Sequence, residues 1–150
     1  MSIVDDLLKN PGTYIGIDTA VDGHDADGPG EAAARIVISP LPGGAGVTLD
    51  YETFNPTNKD RIQGHLERAI VARAGDGGAV YVTAHTHAGT VAIMRETDSG
   101  VFELGDEPNP FPMSIRIAVP EPGRLVHSWS YGMPGEEPVE RDRAELTLRS

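Results

Sequence analysis

Histidines at 85, 87 and 127 and the lone tryptophan, Trp129, are the side chains in this 150-residue chain with most chemistry to offer. The run Val80-Tyr81-Val82-Thr83-Ala84-His85-Thr86-His87 is rich in β-branched residues and predicts a strand, so both of its imidazoles leave from one face. Two neutral imidazoles so placed can hold zinc if a third ligand arrives from a neighbouring strand, and His127 or His65 could supply it. H-x-H is a weak motif, however. The reading preferred here makes His85 and His87 polar groups at a pocket mouth near a hairpin end, with no metal.

The stronger pocket lies elsewhere. Alternation along Arg124–Tyr131 puts His127 on one face with Leu125, Trp129 and Tyr131. Met113 and Ile115 on the preceding strand, with Tyr51 and Leu49 further away, would complete an apolar wall. Nucleophilic catalysis has little support. Ser128 and Ser130 fall on the face opposite His127, there is no cysteine, and Asp5-Asp6 and Glu136-Glu137 are adjacent pairs of solvating type. His127 could act as a general base only with a partner that the sequence does not identify.

These residues need a frame, and the pattern supplies one. Ser2 can cap a short helix through Lys9, with Ile3, Val4, Leu7 and Leu8 as its apolar face and Pro11-Gly12 as its stop. Strands are then expected at Gly12–Thr19, Ala33–Ser39 and Gly46–Phe54, in a hairpin across Val80–Met94 broken by Ala88-Gly89, and at Val101–Leu104, Met113–Val119, Arg124–Tyr131 and Val139–Arg149. Arg61 to Ala74 fits a helix or a strand equally well. With that segment the count is about ten strands in one domain, residues 1–150, at the spacing of an all-β sandwich or barrel.

Composition narrows the partners. Acidic residues outnumber basic ones 23 to 12, a net charge of −11 that repels nucleic acid and anionic membranes. No apolar run approaches the roughly 20 residues of a membrane span. The N-terminus lacks a secretory pattern, and the absence of cysteine suits a reducing compartment, so a cytoplasmic protein is expected.

The leading helical turn, Gly12-x-Tyr14-x-Gly16 on the first strand and the roughly ten antiparallel strands resemble the calycin group. That group includes the lipocalins, the fatty-acid-binding proteins and, closest in layout, the nitrobindin-like haem-binding barrels. Ala74-Gly75-Asp76-Gly77-Gly78 through Val101-Phe102-Glu103-Leu104 looks like their central strands. Leu125-Val126-His127 with Ala144-Glu145-Leu146-Thr147-Leu148-Arg149 is similar to their final hairpin. The resemblance implies an antiparallel up-and-down barrel, a strand for Arg61–Ala74, and Tyr14 packed against a late arginine, Arg149 or Arg143. It also implies a haem-ligating histidine just ahead of an Ala-x-Leu segment on the last strand. Here Glu140, Arg141 and Asp142 occupy that region and no histidine follows His127, so no cofactor is expected by that route.

The function expected is non-enzymatic binding of a small apolar or amphipathic ligand inside the barrel, through His127, Trp129, Tyr131, His85, His87, Met113, Ile115 and Tyr51. A haem or metal barrel using other histidines, and an enzyme with His127 as base, are the alternatives. A homodimer is compatible with either.

Overall fold

The computed structural model describes residues 2–20, 30–54, 62–86, 89–104 and 112–149, with 62–65 described as strand only. The short helix forms as its cap predicts. In α1 (Ile3–Lys9) the Ser2 hydroxyl accepts from the Asp5 amide, and Ile3, Val4 and Leu7 are buried. So short a helix is not stable alone. Arg73 holds it to the barrel through a 2.6 Å contact with Asp5.

Ten strands follow: β1 (Gly12–Ala20), β2 (Gly30–Pro40), β3 (Gly46–Phe54), β4 (Ile62–Arg73), β5 (Ala79–His85), β6 (Ala92–Asp98), β7 (Val101–Leu104), β8 (Met113–Ala118), β9 (Arg124–Tyr131) and β10 (Val139–Leu148). Each pairs antiparallel with its neighbours in sequence, and β10 returns to β1, closing an up-and-down barrel. Closure leaves no free sheet edge. In the stretch on which the residues alone were undecided, Ile62–Arg73 is strand because β3 and β5 pair on either side of it.

Closure also explains Gly16. It sits opposite Ala34 on β2 and Leu146 on β10, and a Cβ there would run into the Glu145 carbonyl. No larger residue fits that seam without moving a strand.

Tyr14 is fully buried, as the resemblance implies, but its partner differs. Its hydroxyl donates to the Asn10 carbonyl at 2.8 Å. The alternation that turns Ala144 and Leu146 inward turns Arg143 outward, where it holds Glu140 and Glu145, and Arg149 is exposed.

The strands tilt against the barrel axis, so one rung of paired residues travels from end to end. It runs from Tyr14 at the start of β1 through Ile36, Tyr51 and Glu67 to His85 at the end of β5. Around α1 the interior is apolar: Ile38, Val47, Leu49, Val71, Ile117, Leu125 and Leu146 are all buried. Toward the opposite end, where the odd-numbered strands finish, the inward residues become polar and aromatic.

Candidate functional site

At that second end, strand alternation aims Asp18 of β1, Tyr51 of β3, Glu67 of β4, Tyr81, Thr83 and His85 of β5, and His127 and Trp129 of β9 into the barrel. Asp18, Tyr51, Glu67, Tyr81, Thr83 and His127 are all buried. Carboxylates are almost never so deeply buried unless paired, so their partners decide what the site can do.

Glu67 accepts at both oxygens. The Tyr81 hydroxyl donates to Oε1 and the Thr83 hydroxyl to Oε2, each at 2.6 Å. A carboxyl that only accepts is ionised. Tyr81 has one proton and gives it to Glu67, so its oxygen can only accept from His127, whose Nε2 lies 3.1 Å away. Nε2 is also 3.6 Å from Glu67 Oε1. The ring proton therefore sits on Nε2, and in the neutral ring Nδ1 presents a lone pair. Nδ1 is buried without a hydrogen-bond partner.

A second pair lies beside the first. The Tyr51 hydroxyl donates to Asp18 Oδ2 at 2.5 Å, a separation typical of a charge-assisted bond, while Oδ1 is buried without a partner. Burial pushes the Tyr51 phenol well above its ordinary range, and the charges of Asp142 and Asp18 push it further. Burial followed by the Glu67 charge does the same to Tyr81. Both phenols stay neutral donors, fixed on carboxylates.

Aromatic faces enclose this network. The Tyr51 ring lies 5.0 Å from that of His127, His127 lies 6.2 Å from Trp129, and His85 meets Trp129 edge-on at 5.1 Å. These spacings are those of mutually attractive ring pairs.

Of the residues that the sequence nominates, His127, Trp129, His85 and Tyr51 come together here, and Ile115 backs Trp129 across the β8–β9 pair. Tyr131 stands apart. It is half-buried at the strand end, with the Arg141 guanidinium 5.2 Å from its ring centroid. Met113, its cross-strand partner, is also half-buried. His87 and the side chain of His65 lie outside the described residues. Among the described residues, no three His, Asp or Glu side chains converge as a metal would require.

Asp18, Glu67, Tyr81 and Thr83 were not nominated. A strand carboxylate ordinarily marks the solvent face, and on β4 the pattern is inverted: Glu67 is buried while Ile70 is 40% exposed. One signal was available: Tyr81 and Thr83 share the alternation of His85.

The residues do not fit a haem held from the last strand. Ahead of Ala144-Glu145-Leu146, the position paired with Trp129 is Asp142, whose charge acts on Tyr51. A carboxylate in an acidic surround offers iron no imidazole and repels the propionates of a porphyrin.

No family model matches the sequence, and no curated protein matches it. A solved structure does. The chain superposes on the crystal structure of Rv2717c from M. tuberculosis with a TM-score of 0.64, covering 98% of this chain and 97% of that one at 16% identity. The fold is a calycin-like barrel. At that identity the likeness speaks for the fold alone. Among the described residues, no helix is long and apolar enough to cross a membrane.

Proposed function

We propose that this barrel binds a small amphipathic ligand, with its polar group at His127 and Asp18 and its apolar part among the aromatic and aliphatic side chains of the interior. One observation carries the reading: two fully oriented hydrogen-bond chains each end in a buried acceptor, Nδ1 of His127 and Oδ1 of Asp18, with no protein partner. A buried acceptor left unmade costs about 1–3 kcal/mol, and a ligand donor removes that cost. Ten strands enclose more room than the eight that side chains alone can fill. Ala34, Ala69 and Ala144 keep the inner wall low beside the network.

Thermal unfolding and Trp129 emission across a lipid, retinoid and porphyrin panel test this directly. A ligand at about a hundred times its Kd adds about 2.7 kcal/mol if it binds the native state only. That raises Tm by roughly 5–10 °C for a domain of this size. No shift and no quenching across the panel would sink the proposal.

The same geometry favours a second reading. A histidine held at Nε2 by Tyr81 and Glu67, with Nδ1 open, has the layout of an oriented general base. Glu67, reached through Tyr81, is the partner that the sequence left unidentified. This reading predicts that His127→Gln abolishes turnover of a bound substrate while leaving its binding within about twofold. Unchanged turnover would exclude it.

A further inference from the structure

We infer that the polar group recognised in the barrel is a cation, a protonated primary amine seated between Asp18 and His127. The inference rests on the ligand-binding reading and names its substrate class.

Charge comes first. Asp18 and Glu67 are carboxylates with 4% and 0% exposure, and no lysine or arginine is buried among the described residues. Among the described guanidiniums, Arg35 and Arg68 hold Glu52, Arg73 holds Asp5, Arg143 holds Glu140 and Glu145, and Arg141 lies over the Tyr131 ring. Even a protonated His127 would balance only Glu67, leaving Asp18 in a medium where an uncompensated charge is costly.

Hydrogen bonding points the same way, independently of charge. Asp18 Oδ1 can only accept, and so can Nδ1 of a neutral His127 whose ring proton is on Nε2. An ammonium group carries three donors and no acceptor, so it matches both; a carboxylate or phosphate matches neither. Asp18 pairs with Ala144 on β10 and Ala144 with His127 on β9, so the two acceptors lie two strand spacings apart, roughly 10 Å between Cα atoms. Both side chains are buried inside the barrel.

The surrounding rings complete the match. Tyr51 touches both groups, holding Asp18 by its hydroxyl and facing the His127 ring at 5.0 Å, and Trp129 lies 6.2 Å from His127. A desolvated cation over such faces is attracted by the ring quadrupole, a gain that neither an alcohol nor an anion shares.

Three probes with one frame and three charges decide it: 2-phenylethylammonium, 2-phenylethanol and 3-phenylpropionate, each titrated calorimetrically into the full chain. The ammonium should bind at least about tenfold tighter than the alcohol, and the propionate should give no heat. Asp18→Asn should erase at least about tenfold of that preference for the ammonium over the alcohol. Should Asp18→Asn fail to fold by circular dichroism, the charge series on the unaltered protein still decides. Equal affinity for ammonium and alcohol, tighter binding of the propionate, or an undiminished preference in a folded Asp18→Asn overturns the cation. A protein that responds only to the lipid, retinoid and porphyrin panel loses the cation and keeps the ligand site. Silence toward both sets removes both.

Discussion

Near α1, β3 turns Val47 and Leu49 into the barrel; further along the same strand it turns in Tyr51 and Thr53. The same change runs along β4 from Val71 to Glu67, along β9 from Leu125 to His127 and Trp129, and along β10 from Leu146 to Asp142. One end is therefore a dry core under a helix lid, where each fully buried aliphatic side chain stabilises by about 1.5–3 kcal/mol. The other concentrates ionised and aromatic groups whose desolvation works against folding. Proteins keep such groups buried where they serve a site, and the contrast between ends is the physical basis for placing one here.

The largest expected effect breaks the apolar end alone. Leu49→Ala should cost about 2–5 kcal/mol in chemical denaturation and leave ligand affinity unchanged. Equal damage to binding would mean that the ends are not separable. The seam of the barrel comes next. Gly16→Ala pushes a methyl group against the β10 backbone and should cost about 1–3 kcal/mol, read as a lower denaturation midpoint at constant m-value.

A change of sign would sharpen the comparison at the polar end. Tyr51→Phe removes the donor to Asp18 and should cost about 1.5–3 kcal/mol. Asp18→Val combined with Tyr51→Phe removes the charge as well, and should recover that loss or exceed the parent by about 1–4 kcal/mol. If the double variant is less stable than Tyr51→Phe, the carboxylate is not a burden on the fold.

The smallest effect lies at the lid. Arg73 first, then Ser2, holds the Asp5 carboxyl down to about 2 from its usual 3.8. A lowered folded-state value means that the contribution is present above about pH 4 and fades as pH falls through 3.8 towards 2. Asp5→Asn should flatten that part of the stability–pH curve and lose the same contribution at pH 7, a small one because Asp5 is exposed to solvent. An unaltered acid limb would show that the Asp5–Arg73 contact does not persist in solution.

What could be read from the sequence follows from the same contrast. Where inward residues are apolar and outward ones polar, as in Gly46–Phe54 and Met113–Ala118, alternation gave strand, face and burial together. It also placed His127 and Trp129 on the face of Leu125, since that buried leucine fixes which side is in. On β4 the cue reverses, with Glu67 inside and Ile70 outside, and the residues could not choose between helix and strand. Asp18 was hidden for a related reason: an acidic residue near a strand end reads as solvated, and its burial depends on Tyr51 arriving from β3. Tyr131 shows the limit of alternation at a strand end. Alternation puts it on the pocket face, but the strand ends there and Arg141 covers the ring.

Ligand binding as proposed requires His127 to be locked at Nε2 and open at Nδ1. Imidazole 15N NMR of the labelled protein, before and after addition of the tightest-binding probe, tests it most directly. The free protein should show a protonated Nε2 and a lone-pair Nδ1, with Nδ1 moving on binding as it accepts a hydrogen bond. A proton on Nδ1 with Nε2 bare, or an Nδ1 signal that stays still while the ligand saturates the protein, would contradict it.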